Sequence, residues 1–256
     1  MIKINNVCFS FDQEQEVLKS ININIERGKF YTILGPNGSG KTTLLRLLSK
    51  SLNMGKGEIS IYGKNLTHIK PVSLAKEMAV VPQSTEIEFD FSVQDIVLMG
   101  RTPYISRFCS ESEKDIKIAM NAMKCTNTWN LRNKSINALS GGEKQRVVVA
   151  RAIAQETGII LLDEPISHLD IHHQIEIMNG LKKLNKNKNI TIIAVLHDLN
   201  IAAAYGDHMI LMHDGGVYKD GPPEDVLTDD IIKRVYGLEV YITKNPKTGK
   251  TFIMPF

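Results

Sequence analysis

The most informative part of the sequence for the fold is Phe30-Tyr31-Thr32-Ile33-Leu34-Gly35-Pro36-Asn37-Gly38-Ser39-Gly40-Lys41-Thr42. Its first five residues form a short apolar run without strict alternation, which predicts a strand covered on both faces. The next eight residues fit the pattern G-x-x-x-x-G-K-[ST], and a helical pattern over 42–51 follows directly. A strand before the pattern and a helix after it are the context that a phosphate-binding loop requires.

The chemistry of this loop follows from its residue types. Glycines let successive backbone N–H groups converge on phosphates, and the helix adds its positive end. Lys41 is expected to act as a point charge on the β- and γ-phosphates, and Thr42 to offer its hydroxyl to Mg²⁺. The candidate nucleotide-binding residues here are Gly35, Pro36, Asn37, Gly38, Ser39, Gly40, Lys41, Thr42 and Thr43.

Two other predicted strands end in polar residues. The apolar run 159–162 is followed by Asp163 and Glu164, and the run 190–196 is followed by His197. Ligands of α/β proteins lie at the carboxyl ends of strands, so these side chains are expected at the same edge as Gly35. We expect Asp163 to hold Mg²⁺ through water, Glu164 to polarise the attacking water, and His197 to take part in catalysis.

The order of patterns favours an α/β layer with a largely parallel sheet. Strand-like runs cover 30–34, 78–81, 159–162, 190–196 and 209–212, and helical patterns cover 42–51, 142–155, 171–184 and 199–205. Residues 2–11 and 17–25 alternate in polarity around the polar stretch 12–16, which predicts antiparallel strands. The tail after Gly237 has two short runs around a turn at 246–249, which predicts a terminal hairpin.

The stretch 89–153 contains no convincing strand, and we interpret it as a helical insertion. Residues 111–124 have helical spacing with Ile116, Ala119, Met120 and Met123 on one face. Charge pattern alone places Arg101 in a solvated turn. The predicted division is a catalytic core of 1–88 and 154–236 that includes the antiparallel part, a helical subdomain of 89–153, and a hairpin tail of 237–256.

Composition and charge exclude several classes. The chain has 256 residues, 43% of them hydrophobic, and a net charge of +3, too little for the basic field of a nucleic-acid binder. No apolar run approaches the ~20 residues that cross a bilayer, and the first residues do not form a secretory signal, so a cytoplasmic chain is expected.

At this point the sequence resembles the nucleotide-binding subunit of an ATP-binding cassette (ABC) transporter. Besides the phosphate loop and the acidic strand, it carries Leu139-Ser140-Gly141-Gly142-Glu143 directly before a helix. The resemblance covers nearly the whole chain. It implies a P-loop NTPase (RecA-like) α/β core with an N-terminal antiparallel β-subdomain and an inserted α-helical subdomain, and an Mg²⁺-dependent ATPase activity.

The resemblance also assigns roles to single residues. Gln83 matches the glutamine that contacts Mg²⁺ or water and meets the membrane partner, and Phe11 matches the aromatic residue that stacks on adenine. Ser140, Gly141 and Gly142 match the segment that clamps the γ-phosphate bound to the other subunit, and Asp170 closes the 167–170 loop that crosses the dimer seam. A homodimer with two sandwiched ATP molecules is therefore implied. His168, Ile166 and Glu143 depart from common family residues without removing a catalytic group.

The cargo is indicated by the same kind of resemblance. Residues 91–104, 197–200 and 248–255 are similar to importers of iron–siderophore, haem and cobalamin complexes, and iron(III)–siderophore import is the chosen hypothesis. It implies membrane permease subunits, an external binding protein, and a peripheral position at the cytoplasmic face of the membrane. Haem or cobalamin import, a soluble ABC ATPase of an assembly or repair scaffold, and an ATP-binding regulatory module are the alternatives.

Overall fold

The computed structural model describes residues 1–11, 16–83, 89–106, 109–167 and 169–256. The chain divides into two compact units, a first unit of Met1–Ile69 and Thr191–Phe256 and a second unit of Lys70–Ile190. Most of the polar connection 12–16, residues 84–88 after Gln83, and His168 lie outside the described residues. The predicted three-part division of the chain stays a prediction.

The described part of the chain forms both strands and helices. In chain order they are β1 Ile2–Ser10, β2 Glu16–Ile25, β3 Phe30–Leu34, α1 Lys41–Leu48, β4 Lys56–Ile61, β5 Lys64–Asn65, α2 Pro71–Glu77, β6 Met78–Val81, α3 Val93–Leu98, α4 Glu113–Cys125, α5 Gly141–Ala154, β7 Ile159–Asp163, α6 Ile171–Lys188, β8 Thr191–Val195, α7 Leu199–Tyr205, β9 His208–His213, β10 Gly216–Gly221, α8 Pro223–Val226, α9 Asp229–Tyr236, β11 Val240–Lys244 and β12 Thr251–Pro255.

The first unit holds an antiparallel sheet whose strands follow the order β2-β1-β4-β5. In β1, Ile2 and Ile4 are buried and pair with Ile25 and Ile23 of β2, which are also buried. The alternation of buried and exposed residues along these strands is the signal that predicted them, because one face of the sheet packs and the other meets water.

The same unit holds parallel strands. β3 pairs in parallel with β8 on one side and β9 on the other, and β10 adds to β9 in antiparallel fashion. All five residues of β3 are buried, as its continuous apolar run predicts. The predicted tail hairpin is confirmed as β11 and β12, and Asn200 of α7 fixes it through two hydrogen bonds with the backbone of Ile253.

The second unit combines the parallel pair β6 and β7 with helices. Helices α3, α4 and α5 share an apolar cluster, and Trp129 packs against it. The predicted helix 111–124 is observed as α4, where Ala119 and Met123 are buried. Ile116 was wrongly placed on the apolar face, since 45% of it is exposed and Ala122 is buried instead.

The predicted α/β class is confirmed by these elements. Within the described residues, no helix combines the length and the apolar character that crossing a bilayer requires. The sequence patterns did not predict β4, β5, β10 or helices α2, α8 and α9.

Candidate functional site

The predicted phosphate loop joins β3 to α1 in the first unit. Gly35 has a φ of +147° and Gly40 a φ of +95°, both in the region that L side chains rarely adopt. A Cβ atom on Gly35 would collide with the carbonyl oxygen of Met212 in β9. The loop therefore needs glycine for its backbone angles and for its close approach to the neighbouring strand.

Lys41 is the first residue of α1 and is 94% buried, with 6% of its surface exposed. Its ammonium Nζ donates hydrogen bonds of 2.8 Å to the carbonyl oxygens of Gly35 and Pro36. The helix has no acidic residue in its first turn and no side-chain cap. A buried cation and an uncapped helix N-terminus therefore lie together, which favours an anionic ligand.

Other loop residues differ in exposure. Asn37 and Gly38 are exposed, Thr42 is half-buried and Thr43 is buried. The buried hydroxyl of Ser39 has no hydrogen-bond partner within the described part of the chain. A buried hydroxyl without a partner is costly, and a phosphate oxygen is a group that would satisfy it.

Tyr236, the last residue of α9, contacts this loop and was missed by the sequence analysis. Its hydroxyl is hydrogen-bonded by the backbone of Gly35, and burial raises the pKa of Tyr236 to about 12. The hydroxyl therefore stays protonated at neutral pH. A Tyr-Gly pair at a helix end is a common sequence feature, so no local signal pointed to this contact.

His197 lies level with the start of the phosphate loop. Ile33 of β3 pairs with Val195 of β8 in parallel register, so Gly35 and His197 are both two residues beyond that pair. His197 is exposed, and the next residue, Asp198, caps α7 by accepting the N–H groups of Asn200 and Ile201. The expected placement of His197 at the same strand edge as Gly35 is therefore found.

Phe11 lies directly after β1 and is 57% exposed. Its ring meets that of Phe9 edge-on, with 5.0 Å between the ring centroids. Both rings line a pocket of about 680 Å³ together with Lys56. An exposed aromatic face at a pocket wall is suited to stacking on a planar base.

In the second unit, the carboxyl ends of β6 and β7 bring Gln83 and Glu164 together. Val81 pairs with Leu162 in parallel register, and each predicted residue lies two positions beyond that pair. Gln83 Nε2 donates a 2.9 Å hydrogen bond to Glu164 Oε2. Glu164 has a φ of +50°, an uncommon value for a residue with a side chain. Asp163 ends β7 and is 7% exposed.

The Ser140–Gly142 segment forms the start of α5. Ser140 caps the helix by accepting the N–H of Glu143, and the Glu143 carboxylate accepts both the N–H and the hydroxyl of Ser140. The hydrogen bond from the Ser140 backbone is the main reason that the pKa of Glu143 is lowered. Ser140 and Gly141 are exposed, so the first turn of α5 faces solvent.

Gly142 lets a second loop approach this helix start. A Cβ atom on Gly142 would lie 2.9 Å from the Leu169 side chain. The next residue, Asp170, caps α6 by accepting the N–H of His173, which is the main cause of its lowered pKa, and it also contacts the His173 ring at 2.7 Å. Ser140, Gly142, Asp170 and Arg146 line one pocket of about 390 Å³.

The oxygen donors suit a hard cation. In the second unit, Asp163 offers a carboxylate and Gln83 an amide oxygen, since an N–H of that amide is already used on Glu164. In the first unit, Thr42 offers a hydroxyl. Mg²⁺ takes one or two protein oxygens together with phosphate oxygens and water, so a dense cluster of protein ligands is not needed. Within the described residues, no group of three His, Cys, Asp or Glu side chains is arranged to hold a metal ion.

Comparisons with known proteins show what this chain is similar to. The profile of the ABC transporter family matches residues 18–167. The petrobactin import ATP-binding protein FpuC of Bacillus anthracis is 36% identical over 100% of this chain and 93% of its own length. The ferric enterobactin transport ATP-binding protein FepC of Escherichia coli (strain K12) is 37% identical over 93% of this chain and 88% of its own length.

Two solved structures have a fold similar to that of this chain. A metal-chelate type ABC transporter in an inward-facing conformation superposes with a TM-score of 0.85 at 29% identity, covering 100% of this chain and 97% of that one. A dimeric ATP-binding cassette in a post-hydrolysis state, bound to ADP and Pi, superposes with a TM-score of 0.77 at 31% identity, covering 87% of this chain and 99% of that one.

Proposed function

Because this chain belongs to the ABC transporter family and is an ATP-binding cassette ATPase, we propose that it powers the import of iron(III)–siderophore complexes. The observation that carries the proposal is the similarity, over nearly the full length, to ATP-binding proteins that import petrobactin and ferric enterobactin. The cargo is thus inferred from relatives, while the chemistry of ATP is inferred from the site.

The phosphate loop binds the triphosphate in this proposal. Lys41 moves from the carbonyl oxygens of Gly35 and Pro36 to the β- and γ-phosphates, and the loop glycines present their N–H groups. The Ser39 hydroxyl gains a phosphate oxygen as its partner. Phe11 stacks on the adenine, and His197 donates a hydrogen bond to the terminal phosphate from its position level with Gly35.

We assign hydrolysis to the residues at the carboxyl end of β7, Asp163 and Glu164. Gln83 holds the Glu164 carboxylate by the 2.9 Å hydrogen bond, and Glu164 orients the attacking water and accepts its proton. Thr42, Asp163 and Gln83 are the residues that would hold Mg²⁺. When bound, the ion neutralises charge that develops on the phosphate oxygens.

A homodimer and membrane subunits complete the proposed machine. The exposed first turn of α5, with Ser140, Gly141 and Gly142, clamps the γ-phosphate bound to a second copy, and Asp170 lies in the loop at the seam between copies. Permease subunits hold the chain at the cytoplasmic face of the membrane, and an external binding protein delivers the cargo to them.

Uptake of labelled cargo tests the proposal. Cells deleted for this chain are complemented with wild type or with Glu164→Gln and are given ferric siderophore, haem or cobalamin. We expect wild type alone to restore uptake of ferric siderophore. If wild type restored uptake of haem or cobalamin instead, the cargo assignment would be wrong. If deleted and complemented cells took up all three compounds equally, the import function would be contradicted.

A further inference from the structure

The Met99–Tyr104 turn of the second unit buries Arg101, which the charge pattern placed in solvent. Only 5% of Arg101 is exposed. The guanidinium lies 4.3 Å from the centroid of the Tyr104 ring, so the aromatic face covers it. Burying a guanidinium costs free energy of folding unless its N–H groups have hydrogen-bond partners. The partners of Arg101 therefore identify the elements that it connects.

The partners of Arg101 come from separate parts of the unit. Its Nε donates to Asp115 Oδ1 near the start of α4 at 2.9 Å, and Nη1 donates to the carbonyl oxygen of Ala154 at the end of α5 at 2.8 Å. The same Nη1 lies 3.4 Å from Glu156, which precedes β7. One planar group therefore ties α4, α5 and the connection to β7.

The Asp115 carboxylate is itself held in place. Ser112 caps α4 and donates both its backbone N–H and its hydroxyl to Asp115 Oδ2, while Oδ1 accepts from Arg101. Hydrogen bonding from the Ser112 side chain, followed by that from Arg101, lowers the pKa of Asp115 to about 2. The carboxylate is therefore ionised at any pH at which the protein would be assayed.

The contact with Ala154 fixes the carboxyl end of a helix. The last carbonyl groups of a helix lack partners inside it, and a cation there also suits the helix dipole. Gly100 reinforces the contact, because a Cβ atom on Gly100 would collide with the carbonyl oxygen of Arg151 in α5. The turn thus packs against the backbone of α5 at closer range than any side chain would allow.

The other end of α5 carries the Ser140–Gly142 segment. The helix has 14 residues and spans about 21 Å. It is a rigid element packed against α3 and α4, so a shift at Ala154 moves its first turn as well. Among the described residues, Arg101 has no hydrogen bond or ion pair with that turn or with Asp163 and Glu164. An effect on hydrolysis would therefore pass through α5 or, by way of Glu156, through β7, and the shorter contact, 2.8 Å to Ala154 against 3.4 Å to Glu156, favours α5.

We infer that Arg101 is a positioning residue that sets α5, and through it the Ser140–Gly142 segment, for ATP hydrolysis. The inference rests on the proposed function for the role of that segment. Lysine cannot replace Arg101, because its ammonium is a compact point charge. It lacks the planar fork whose Nε and Nη1 reach Asp115 and Ala154 from separate atoms while the flat face stacks on Tyr104.

Hydrogen exchange and ATPase kinetics on the purified full chain test the inference. We expect Arg101→Lys to speed amide exchange in residues 143–147 several-fold and to lower kcat by about 10- to 100-fold, the scale of a ~1 Å misplacement, with ATP affinity unchanged. Asp115→Asn weakens only the Nε branch by removing its charge, so it should have a smaller effect in the same direction. The double variant should be no worse than Arg101→Lys alone, because that change already disrupts this branch.

Arg132→Lys is the matched control. Arg132 also stacks on an aromatic ring, 4.5 Å from the Trp129 centroid, but its hydrogen bond goes to the nearby carbonyl of Trp129. We expect wild-type exchange and kcat for this variant. Gly100→Ala, which displaces the turn but keeps Arg101, should behave like Arg101→Lys and serves if the latter does not fold.

Exchange at 143–147 that equals wild type in Asp115→Asn and Gly100→Ala would overturn the inference, as would a wild-type kcat in these variants. A merely structural role would lower the melting temperature and speed exchange throughout the unit without changing kcat per folded chain. If wild type itself does not hydrolyse ATP, the proposed function fails, while exchange at 143–147 still decides whether Arg101 positions α5.

Discussion

Two helix starts in this protein, those of α1 and α5, follow glycine-containing segments but are built in opposite ways. The start of α1 has no side-chain cap and no acidic residue in its first turn, and it places the Lys41 ammonium beside the loop. The start of α5 is closed by the Ser140 and Glu143 capping box, so a carboxylate already occupies it. Both ends carry the partial positive charge of a helix N-terminus.

The difference indicates different tasks. The start of α1 combines a cation, Lys41, with the buried Ser39 hydroxyl, which has no hydrogen-bond partner within the described residues. These groups can bind an anion without a contribution from another chain. A helix start that holds its own carboxylate repels an isolated anion, and it suits a phosphate that another protein surface presents. This contrast agrees with the proposed clamp, in which α5 completes the site of a second copy.

The largest expected effect concerns hydrolysis, which neither helix start performs in this account. Glu164→Gln should lower turnover by about 10²- to 10⁴-fold, the usual contribution of a general base, while ATP affinity stays at the wild-type value. Phosphate release and equilibrium binding measure the two quantities. Glu58→Gln, at an exposed glutamate that accepts a hydrogen bond from Asn65, is the control, and wild-type turnover in Glu164→Gln would remove Glu164 from catalysis.

The next effect tests whether the start of α1 holds the nucleotide. Lys41→Ala should weaken ATP binding by about 10- to 100-fold, because it removes a charge-assisted contact to phosphate. Lys50→Ala is a matched control, since Lys50 also donates to two carbonyl oxygens, those of Thr67 and Ile69. Calorimetric titration with ATP decides, and equal affinities for the two variants would contradict the assignment of Lys41.

A smaller effect tests the backbone of the α1 loop. Gly35→Ala should lower the free energy of unfolding by about 1–3 kcal/mol, because the methyl group meets the Met212 carbonyl and φ is unfavourable. Gly38→Ala shares the positive φ but meets nothing within 4 Å, so it should cost about 1 kcal/mol. Urea unfolding compares them, and a Gly35→Ala variant as stable as Gly38→Ala would show that the loop tolerates the collision.

The smallest effect tests the capping box of α5. Ser140→Ala should cost about 1 kcal/mol of stability at neutral pH. The pKa of Glu143 is lowered in the folded chain, so the ionised carboxylate stabilises the fold above its ordinary pKa, and this stabilisation is lost as pH falls through the lowered value. The stability difference between Ser140→Ala and wild type should therefore narrow in acid.

Urea unfolding at neutral and acidic pH measures this difference. A Ser140→Ala deficit that stays constant with pH would contradict the role given to Glu143. Ser92→Ala removes the corresponding cap from α3, where Asp95 takes the place of Glu143, and shows how a box elsewhere in the same unit behaves.

Much of the site could be predicted from the sequence because its signals are local. The glycine pattern located the loop between β3 and α1, and the apolar runs that precede Glu164 and His197 placed both residues at strand ends, where the structure has them. The hydrogen bond between Gln83 and Glu164 was beyond reach, since it depends on β6 and β7 being neighbours in register. A continuous apolar run indicates that a strand is buried, but it does not indicate which strand is its neighbour in the sheet.

The misplaced residues have long-range causes as well. Arg101 is buried by Asp115 and by the Ala154 carbonyl, which are 14 and 53 positions away. Ile116 fits the apolar spacing of α4, but the helix turns Ala119, Ala122 and Met123 toward the core instead. Helical periodicity shows that one face of α4 is apolar but does not fix which residues at the edge of that face are buried. Packing against α3 and α5 decides this.

Sedimentation of the full-length Glu164→Gln chain with Mg²⁺ and saturating ATP tests the contrast between the two helix starts most directly. We expect a dimer that forms with ATP and dissociates without it. Adding Ser140→Arg, which blocks the α5 start, should abolish the dimer while ATP binding persists. Adding Lys41→Ala should instead raise the ATP concentration at which the dimer forms by about 10- to 100-fold. A chain that binds ATP yet stays monomeric, or a dimer that survives Ser140→Arg, would contradict the role proposed for the start of α5.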